Sequence, residues 1–436
     1  MTAVPDHPRD PFGWNCVIAV GFFLACLVRL ETPSAPFFDE VHYLPAARAV
    51  LELEWATNVE HPPLAKQITA LGIAIFGDEP LGWRIMSVVF GTLALFASMR
   101  AMWFTSQTRA ASLLTGLFVS TNFLLFVHAR IAMLDVFMVA FLMLAAWMFA
   151  ASLRENETAR WRFAIAGVAL GCAMAAKWNA IPLAVLPGLA FLAARWAAGR
   201  RRLVMSARGW PVGGMTLWEA AIWLGVVPLL VYAATYWPYL FWQVRSGDSG
   251  GLVGIHQQML ALQTQVPEAH PYQSQWWDWT INRRAIWYLY EAVDGAQRGV
   301  MLIGNPVTML AGLVALGWCA WTGWLSRNGT STGTGAGAVH WDRIAVVAVF
   351  VVSLALWIVA PKAVQFYFHY FLPAMALSAA LALGVENLLL RGHKVLAWII
   401  GLGALGCFVY WFPILTAAPL DDPQDFLKWA WTQGWR

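Results

Sequence analysis

Charged residues are scarce in this sequence: Asp, Glu, Lys and Arg together make up 12% of the 436 residues, whereas hydrophobic residues make up 60%. A soluble domain of this length does not need so much apolar surface. The composition therefore excludes a soluble globular protein and predicts an all-α polytopic membrane protein, with a single integral-membrane domain over residues 1–436.

Cysteine is also rare, and the five cysteines lie inside apolar runs without paired or metal-ligand spacing. We interpret them as core residues rather than as disulfides or ligands. The N-terminal region has acidic residues before its first apolar run and no small-residue cleavage site, so residues 14–30 are expected to be a retained anchor. No tandem repeat is visible in the sequence.

The apolar runs predict about eleven transmembrane helices. The predicted ranges are 14–30, 81–104, 110–127, 134–153, 163–176, 181–194, 217–241, 300–325, 344–360, 368–385 and 395–415. Several are shorter than the approximately 20 residues of a straight span, so the ends are less certain than the number.

Arginines in short polar connections indicate the orientation. If the N-terminus is cytoplasmic, the inner connections contain Arg100, Arg109, Arg154, Arg160, Arg162, Arg195, Arg200, Arg201, Arg202, Arg208, Arg327, Arg343, Arg391 and Lys394. The positive-inside rule then places the loop 31–80, the aromatic-rich loop 242–299 and the C-terminus outside. The Gly/Ser/Thr-rich segment 326–340 is predicted to be a flexible cytoplasmic linker. The lack of soluble domains suggests a bacterial inner membrane.

The first outer loop concentrates groups capable of chemistry. It contains the acidic pair Asp39 and Glu40, a corner formed by His61 and two prolines, and Lys66 one turn later. Helices are predicted over 43–53, along the interface, and over 64–76, starting at the corner. The first turn of the second helix would add its N–H groups to the charge of Lys66 and form a phosphate site. The alternative is that the carboxylates are solvated and Lys66 anchors lipid headgroups.

Further charged or titratable residues fall on the same outer side of the predicted topology: Arg84, Arg130, Asp135, Lys177 and His369. Because such groups are costly near a membrane, one polar chamber at the outer surface would explain them together. Each also has a structural alternative. Arg84 could snorkel to the interface, Arg130 and Asp135 could pair, Lys177 could be an interfacial anchor, and His369 could be a packing residue.

Eight motifs between residues 37 and 373 together resemble one family. In chain order they are FFDEVHY, HPPLAK, GWR, ARIAMLD, GCAMAAKWN, HPYQSQWWDWTINRRAIWY, LIGNP and FYFHYFLP. This order is similar to that of the protein O-mannosyltransferases, membrane glycosyltransferases of the C-type fold. The resemblance implies inverting transfer of mannose from a polyprenyl-phosphate-mannose donor lipid to Ser or Thr of a protein acceptor, at the outer face.

The resemblance also implies residue roles. Asp39 matches the catalytic base and Glu40 its acidic neighbour, while His61, Lys66 and Arg84 match positions around the donor. Two departures stand out. Ala65 replaces a glycine found in many members, and loop 242–299 has no room for the β-trefoil domain that eukaryotic members insert there.

The chemistry agrees with these residue types. A phosphate leaving group needs cations rather than an acid, and we predict Lys66 and Arg84 for that role. The acceptor hydroxyl needs a base, predicted to be Asp39, with Glu40 orienting it or binding the acceptor backbone. The further residues predicted around the donor are Arg130, Asp135, Lys177 and His369. The predicted acceptor groove consists of His270, Tyr272, Gln273 and Trp276.

The sequence alone leaves alternatives open for the metal, the acceptor and the class of protein. A divalent metal could bind Asp39 and Glu40 with His61 or His270, although no ligand spacing demands one and no cofactor is expected. The acceptor could be a lipid or glycan, as in aminoarabinose transferases that modify lipid A. A transporter or flippase is disfavoured because no inverted repeat is visible. The expected partners are the donor lipid, membrane lipid and a secreted or membrane protein, and no nucleic acid.

Overall fold

The structure is a computed structural model that describes residues 9–54, 57–198, 204–205, 211–247, 250–265, 268–327, 340–360, 362 and 364–436. Arg200, Arg201, Arg202 and Arg208 lie outside the described residues. The same holds for residues 328–339 of the predicted linker.

The first half of the chain is helical. Its helices are α1 (Phe12–Leu27), α2 (Glu40–Glu52), α3 (Leu64–Phe76), α4 (Pro80–Ser106), α5 (Arg109–Ser120), α6 (Phe123–His128), α7 (Asp135–Ser152), α8 (Ala159–Ala176), α9 (Ile181–Ala184), α10 (Leu186–Ala198), α11 (Leu217–Ala221) and α12 (Val227–Ala234). A π-helical turn, Ile222–Val226, joins α11 to α12. The two helices predicted in the first outer loop are confirmed as α2 and α3.

The second half combines helices with a small sheet. Its elements are α13 (Trp237–Ser246), α14 (Gly251–Gln263), α15 (Trp276–Thr280), β1 (Ile286–Val293), β2 (Ala296–Leu302), α16 (Pro306–Arg327), α17 (Trp341–Val359), α18 (Phe371–Leu390), α19 (Lys394–Leu415) and β3 (Pro419–Leu420).

Within the described residues, nine helical segments are long and apolar enough to cross a membrane. They correspond to nine of the eleven predicted spans. The other two predictions fall on shorter helices, because α1 has 16 residues and α5 ends at Ser120, before a break that precedes α6. The chain is thus a multi-pass, predominantly helical membrane protein, as predicted, while helix length alone does not fix the number of spans at eleven.

The spans differ in how deeply they lie within the bundle. In the segment Tyr367–Leu390, which contains α18, 89% of an 18-residue apolar stretch is buried inside the protein. The corresponding fraction in Leu217–Ala234 is 17%. Thus α18 is central, and the α11 to α12 segment faces outward. That segment packs on α8, where a Cβ at Gly167 would collide with the backbone carbonyl of Trp223. Small residues at such crossings let helix backbones approach closely.

Two predicted spans are wrong at one end. The range 300–325 was predicted as helix, but residues up to Leu302 belong to β2, which pairs antiparallel with β1 from Ile286↔Leu302 to Val293↔Ala296. The turn is Asp294-Gly295, and both residues have positive φ, as two-residue hairpin turns require. The range 217–241 also ends early, at Ala234, because a new helix, α13, begins near Pro238.

The C-terminal segment lies against the hairpin. β3 extends the sheet by pairing with β2, and the indole N–H of Trp287 donates to the backbone carbonyl of Trp435, at 3.0 Å. The Ala285 N–H likewise donates to the carbonyl of Gly434, at 3.1 Å. These contacts fix the hairpin over the end of the bundle where the first outer loop lies.

Candidate active site

Glu40 begins α2 and is completely buried. Its carboxylate accepts two hydrogen bonds from Arg84, both at 2.8 Å, and backbone N–H bonds from Ala132 (3.0 Å) and Phe37 (3.2 Å). A carboxylate so surrounded has no surface for a ligand. Binding of the acceptor backbone by Glu40 therefore gains no support from this geometry, and its predicted role in orienting Asp39 stays a prediction.

Arg84 is buried with Glu40, so the alternative that it snorkels to the interface is wrong. Besides the ion pair, its guanidinium donates to the carbonyls of Leu30 (3.0 Å), Pro33 (2.7 Å) and Ala35 (3.3 Å). Its N–H groups thus donate to oxygen atoms within the protein, and these hydrogen bonds connect the segment before Asp39 to α4. Phosphate binding by Arg84 stays a prediction.

Asp39 lies at the N-terminal boundary of α2 and, unlike Glu40, keeps part of its surface exposed. The Tyr43 hydroxyl is 3.5 Å from its Oδ2, at the limit of a hydrogen bond. Burial raises the pKa of Asp39 above its ordinary 3.8, the Lys177 ammonium opposes this, and the Asp135 carboxylate adds to it. Asp39 is therefore an accessible carboxylate of increased basicity.

Lys177 and Asp135 form a buried ion pair, with the ammonium 2.9 and 2.7 Å from the two carboxylate oxygens. The ammonium also lies 5.4 Å from the ring centre of Phe368. The alternative that Lys177 is an interfacial anchor is thus wrong. So is the structural alternative that Arg130 pairs with Asp135, because Arg130 instead donates to the backbone carbonyls of Cys26 and Arg29.

Lys66 lies in the first turn of α3, as predicted. It is fully buried there and does not point into an open site. Its ammonium donates to the carbonyls of Asn58 and His61 and to the hydroxyl of Tyr239. Burial lowers the pKa of Lys66 to about 7, which the Glu60 carboxylate opposes. The lysine thus ties the proline corner to α13, and its phosphate role stays a prediction.

The two histidines predicted near the donor have different surroundings. His61 lies 6.0 Å, ring to ring, from Tyr43, and burial together with Lys177 and Lys66 holds its pKa well below 6.5. The buried His369 stacks on Trp357 at 3.7 Å, and its Nδ1 accepts the N–H of Phe366 at 3.0 Å. These contacts favour the packing alternative for His369.

Lys362 was not among the predicted site residues, but it is the cation best placed for a ligand. It is half-buried in the connection between α17 and α18. Burial lowers its pKa, as does the nearby Lys177, while Asp135, Asp39 and Glu60 oppose this. Over the described part of the chain its ammonium makes no ion pair or hydrogen bond. It therefore faces the same acidic groups as Asp39 with its donors available.

Three of the four predicted acceptor residues lie on one turn, which packs against the segment that follows Lys362. The N–H of Tyr272 donates to the ring of His270, at 3.2 Å, and Gln273 closes the turn by donating its N–H to the His270 carbonyl, at 3.0 Å. His270 also packs on Phe366, 5.2 Å between ring centres. Trp276 lies further along, at the start of α15, against the main core. Acceptor binding by these four residues stays a prediction.

Two tyrosines that were not predicted lie around Asp39, namely Tyr43 and Tyr288, and a third, Tyr239, contacts Lys66; all three are largely buried. Tyr288 comes from β1 and interacts electrostatically with Asp39 and Asp135. Tyr239 lies in the range 217–241, which was predicted as a span, so no polar contact was predicted for it. The only signal for Tyr43 was its spacing of four residues from Asp39, which puts both on one face of α2.

The side chains considered as metal ligands have few oxygen or nitrogen atoms free for a divalent metal. The Glu40 oxygens are occupied by Arg84 and backbone N–H groups. Across the described residues, no group of three or more His, Cys, Asp or Glu side chains is arranged to hold a metal ion. The metal alternative with Asp39, Glu40 and His61 or His270 thus gains no support from the geometry.

Two family models match separate stretches of the chain. Residues 60–232 match "Dolichyl-phosphate-mannose-protein mannosyltransferase". Residues 250–435 match "C-terminal four TMM region of protein-O-mannosyltransferase", so that the two together cover most of the chain. The chain belongs to the protein O-mannosyltransferase family. The family predicted from the motif order is therefore confirmed.

Curated relatives in the protein O-mannosyltransferase family match over nearly the whole length. The polyprenol-phosphate-mannose-protein mannosyltransferase of Mycolicibacterium smegmatis strain MKD8 is 26% identical, over 97% of this chain and 93% of its own. The protein of the same name from Mycobacterium tuberculosis H37Rv is 26% identical, over 94% and 88%. This chain is therefore similar to whole bacterial members of the family.

Solved structures agree on the fold. The S. cerevisiae protein O-mannosyltransferase Pmt1-Pmt2 complex bound to the sugar donor matches with a TM-score of 0.82, over 99% of this chain and 95% of that chain, at 12% identity. ArnT from Cupriavidus metallidurans bound to undecaprenyl phosphate matches with a TM-score of 0.57, over 97% and 69%, at 16% identity. The predicted C-type glycosyltransferase architecture is confirmed.

Proposed function

We propose that this protein transfers mannose from a polyprenyl-phosphate-mannose lipid to Ser or Thr hydroxyls of proteins at the outer face of the membrane. The observation that carries the proposal is that one accessible carboxylate, Asp39, and the ammonium of Lys362 interact electrostatically with each other and with Asp135. The names of the bacterial relatives specify the donor and the protein acceptor for those enzymes.

The reaction requires one base and one cation. As the acceptor oxygen bonds to the sugar carbon, the carbon–oxygen bond to phosphate breaks, and its electron pair leaves with the phosphate. The acceptor proton goes to Asp39. A single base opposite the leaving group gives inversion at the sugar carbon. The residues of this chain supply the proton acceptor and the charge, so we propose that no cofactor takes part.

We assign the phosphate to Lys362, because Lys66 and Arg84 already donate to protein acceptors. Replacing Lys362 by glutamine removes a charge-assisted hydrogen bond to the phosphate and is expected to raise the apparent KM for the donor roughly tenfold or more. The measurement is the initial rate against donor concentration. Lys428→Gln is the matched control, since Lys428 is exposed and paired with Asp425 on the C-terminal tail. An unchanged donor KM for Lys362→Gln would overturn this assignment.

A transfer assay tests the activity itself. Spheroplasts and inverted membrane vesicles containing the protein receive a Ser/Thr-rich peptide, radiolabelled polyprenyl-phosphate-mannose and EDTA. We expect spheroplasts, but not inverted vesicles, to label the peptide, because we propose a cytoplasmic N-terminus in an inner membrane and an external active site. The chelator should not prevent this labelling. Labelling confined to the lipid fraction would favour a lipid or glycan acceptor. Labelling with inverted vesicles only would show that the active site faces the cytoplasm, contrary to the proposed topology.

A further inference from the structure

The residue before Asp39 has an unusual backbone. Phe38 has a φ of +52°, in the left-handed region that bulky side chains rarely adopt. Asp39 follows directly and α2 begins at Glu40, so this dihedral determines the direction in which Asp39 and α2 leave the loop. Such a conformation persists only where the surrounding structure enforces it, and it is frequent at functional sites.

The ring of Phe38 is held by an aromatic partner from a distant part of the chain. It stacks on Tyr288 of β1, with 3.8 Å between ring centres and 17° between planes. Phe368 meets the same ring edge-on, at 6.2 Å. The stack therefore defines both the position and the tilt of the Phe38 side chain.

Tyr288 is in turn fixed within the bundle. It is buried, and its hydroxyl is 3.1 Å from Nε2 of His128. Nδ1 of His128 lies 2.7 Å from the carbonyl of Leu124, so that nitrogen carries the proton and Nε2 accepts from the tyrosine. The ring of His128 also stacks on Phe371, at 4.6 Å. Tyr288 is thus a rigid surface rather than a mobile side chain.

The same hairpin holds the other end of the segment. At its turn, Asp294 accepts the backbone N–H of Ser34 at 2.9 Å and the Ser34 hydroxyl at 2.5 Å. The β1–β2 hairpin therefore contacts the segment 34–38 at both ends, directly before Asp39. A loop held at two points by one hairpin has little freedom to rotate its last residue.

We propose that Tyr288 is a positioning residue: by stacking on Phe38 it stabilises the left-handed backbone that aims the Asp39 carboxylate at the acceptor hydroxyl. This inference rests on the proposed function, in which Asp39 is the base. Tyr288 acts through Phe38 and takes no proton itself. Its loss is expected to affect the chemical step, because an error of about 1 Å in a catalytic group costs up to roughly 100-fold in rate.

The test compares three replacements of Tyr288 in the full-length protein. Tyr288→Phe keeps the ring and is expected to keep kcat within roughly twofold, whereas Tyr288→Leu keeps the apolar volume without a flat face and is expected to lower kcat roughly 10- to 100-fold. Tyr288→Ala should do the same if it folds. In all three the donor KM should stay near the wild-type value, since the cations are untouched.

Tyr290→Ala is the matched control, because Tyr290 lies on the same strand but packs on Trp287 and Phe426. Its kcat per folded molecule should stay close to that of the wild type. A wild-type kcat in Tyr288→Leu, or an effect confined to the donor KM, would overturn the positioning role. Turnover of Asp39→Asn in the same assay separates the two proposals: an active Asp39→Asn refutes the base, whereas an inactive Asp39→Asn beside an active Tyr288→Leu refutes only the stacking.

Discussion

Replacing Asp39 by asparagine is expected to lower kcat roughly 10²- to 10⁴-fold, the contribution typical of a positioned general base. Asparagine has nearly the same shape and keeps an oxygen within reach of the Tyr43 hydroxyl, so the start of α2 should be preserved. What is lost is the proton acceptor for the hydroxyl nucleophile. The measurement is the rate of peptide mannosylation at saturating donor, together with binding of the donor lipid, which should change little.

Asp78→Asn provides the control for that experiment. Asp78 is another outer-loop carboxylate, but it is exposed and paired with Arg48 at 2.7 Å, away from the acidic cluster around Asp39. It should retain wild-type turnover. If Asp39→Asn also turned over at the wild-type rate, another group would have to accept the proton.

The pH dependence gives a second measure of the same assignment. Burial raises the pKa of Asp39 above 3.8, and only the deprotonated form can act as a base. Activity is therefore lost as the pH falls through the raised pKa, so the acidic limb of the kcat/KM profile should lie above pH 3.8. The residual activity of Asp39→Asn should lack this limb.

Local sequence signals were sufficient for the first outer loop. Pro62 and Pro63 cannot continue a helix but favour its start, and α3 begins directly after them, at Leu64. The amphipathic pattern of residues 43–53 likewise indicated α2, although the helix begins three residues earlier, at Glu40. Both features depend only on residues a few positions apart, which is why the sequence predicts them well. The β1–β2 hairpin was missed because the apolar end of β2, residues 300–302, was included in the following predicted span, and the Asp294-Gly295 turn signal was not used.

The partners of the charged residues could not be predicted in the same way. Only Arg130 was considered as a partner for Asp135, and the packing of α7 against α8 shows that Lys177 reaches it instead. Lys66 was correctly predicted in the first turn of α3, and Arg84 near the start of the span that contains α4. Whether an ammonium or guanidinium faces a ligand or a backbone carbonyl, however, depends on how the loop 29–35 and α13 fold over it. Such contacts join residues far apart in sequence and leave no periodic signal.

The ion pair of Glu40 with Arg84 should be the most sensitive point of the fold. Replacing Glu40 by glutamine leaves a guanidinium buried without its counter-charge, and removing one partner of a buried pair typically costs about 3–5 kcal/mol. Arg84→Lys should also be severely destabilising, because an ammonium cannot satisfy the carboxylate and three separate carbonyls in the geometry of the planar guanidinium. The measurements are the yield of folded protein and its thermal unfolding in detergent.

The exposed pair of Arg48 with Asp78 is the internal control. Its side chains are 36% and 46% exposed, against 0% for both Arg84 and Glu40, so Arg48→Gln should cost at most about 1 kcal/mol. The double variant Glu40→Leu with Arg84→Leu separates two explanations. If only the charges matter, it should recover stability; if the surrounding carbonyls and N–H groups matter as well, they are left unpaired, and it should remain as unstable as the single variants. The bonds from Arg84 to Leu30, Pro33 and Ala35 favour the second result, because this one side chain holds the loop that leads to Asp39.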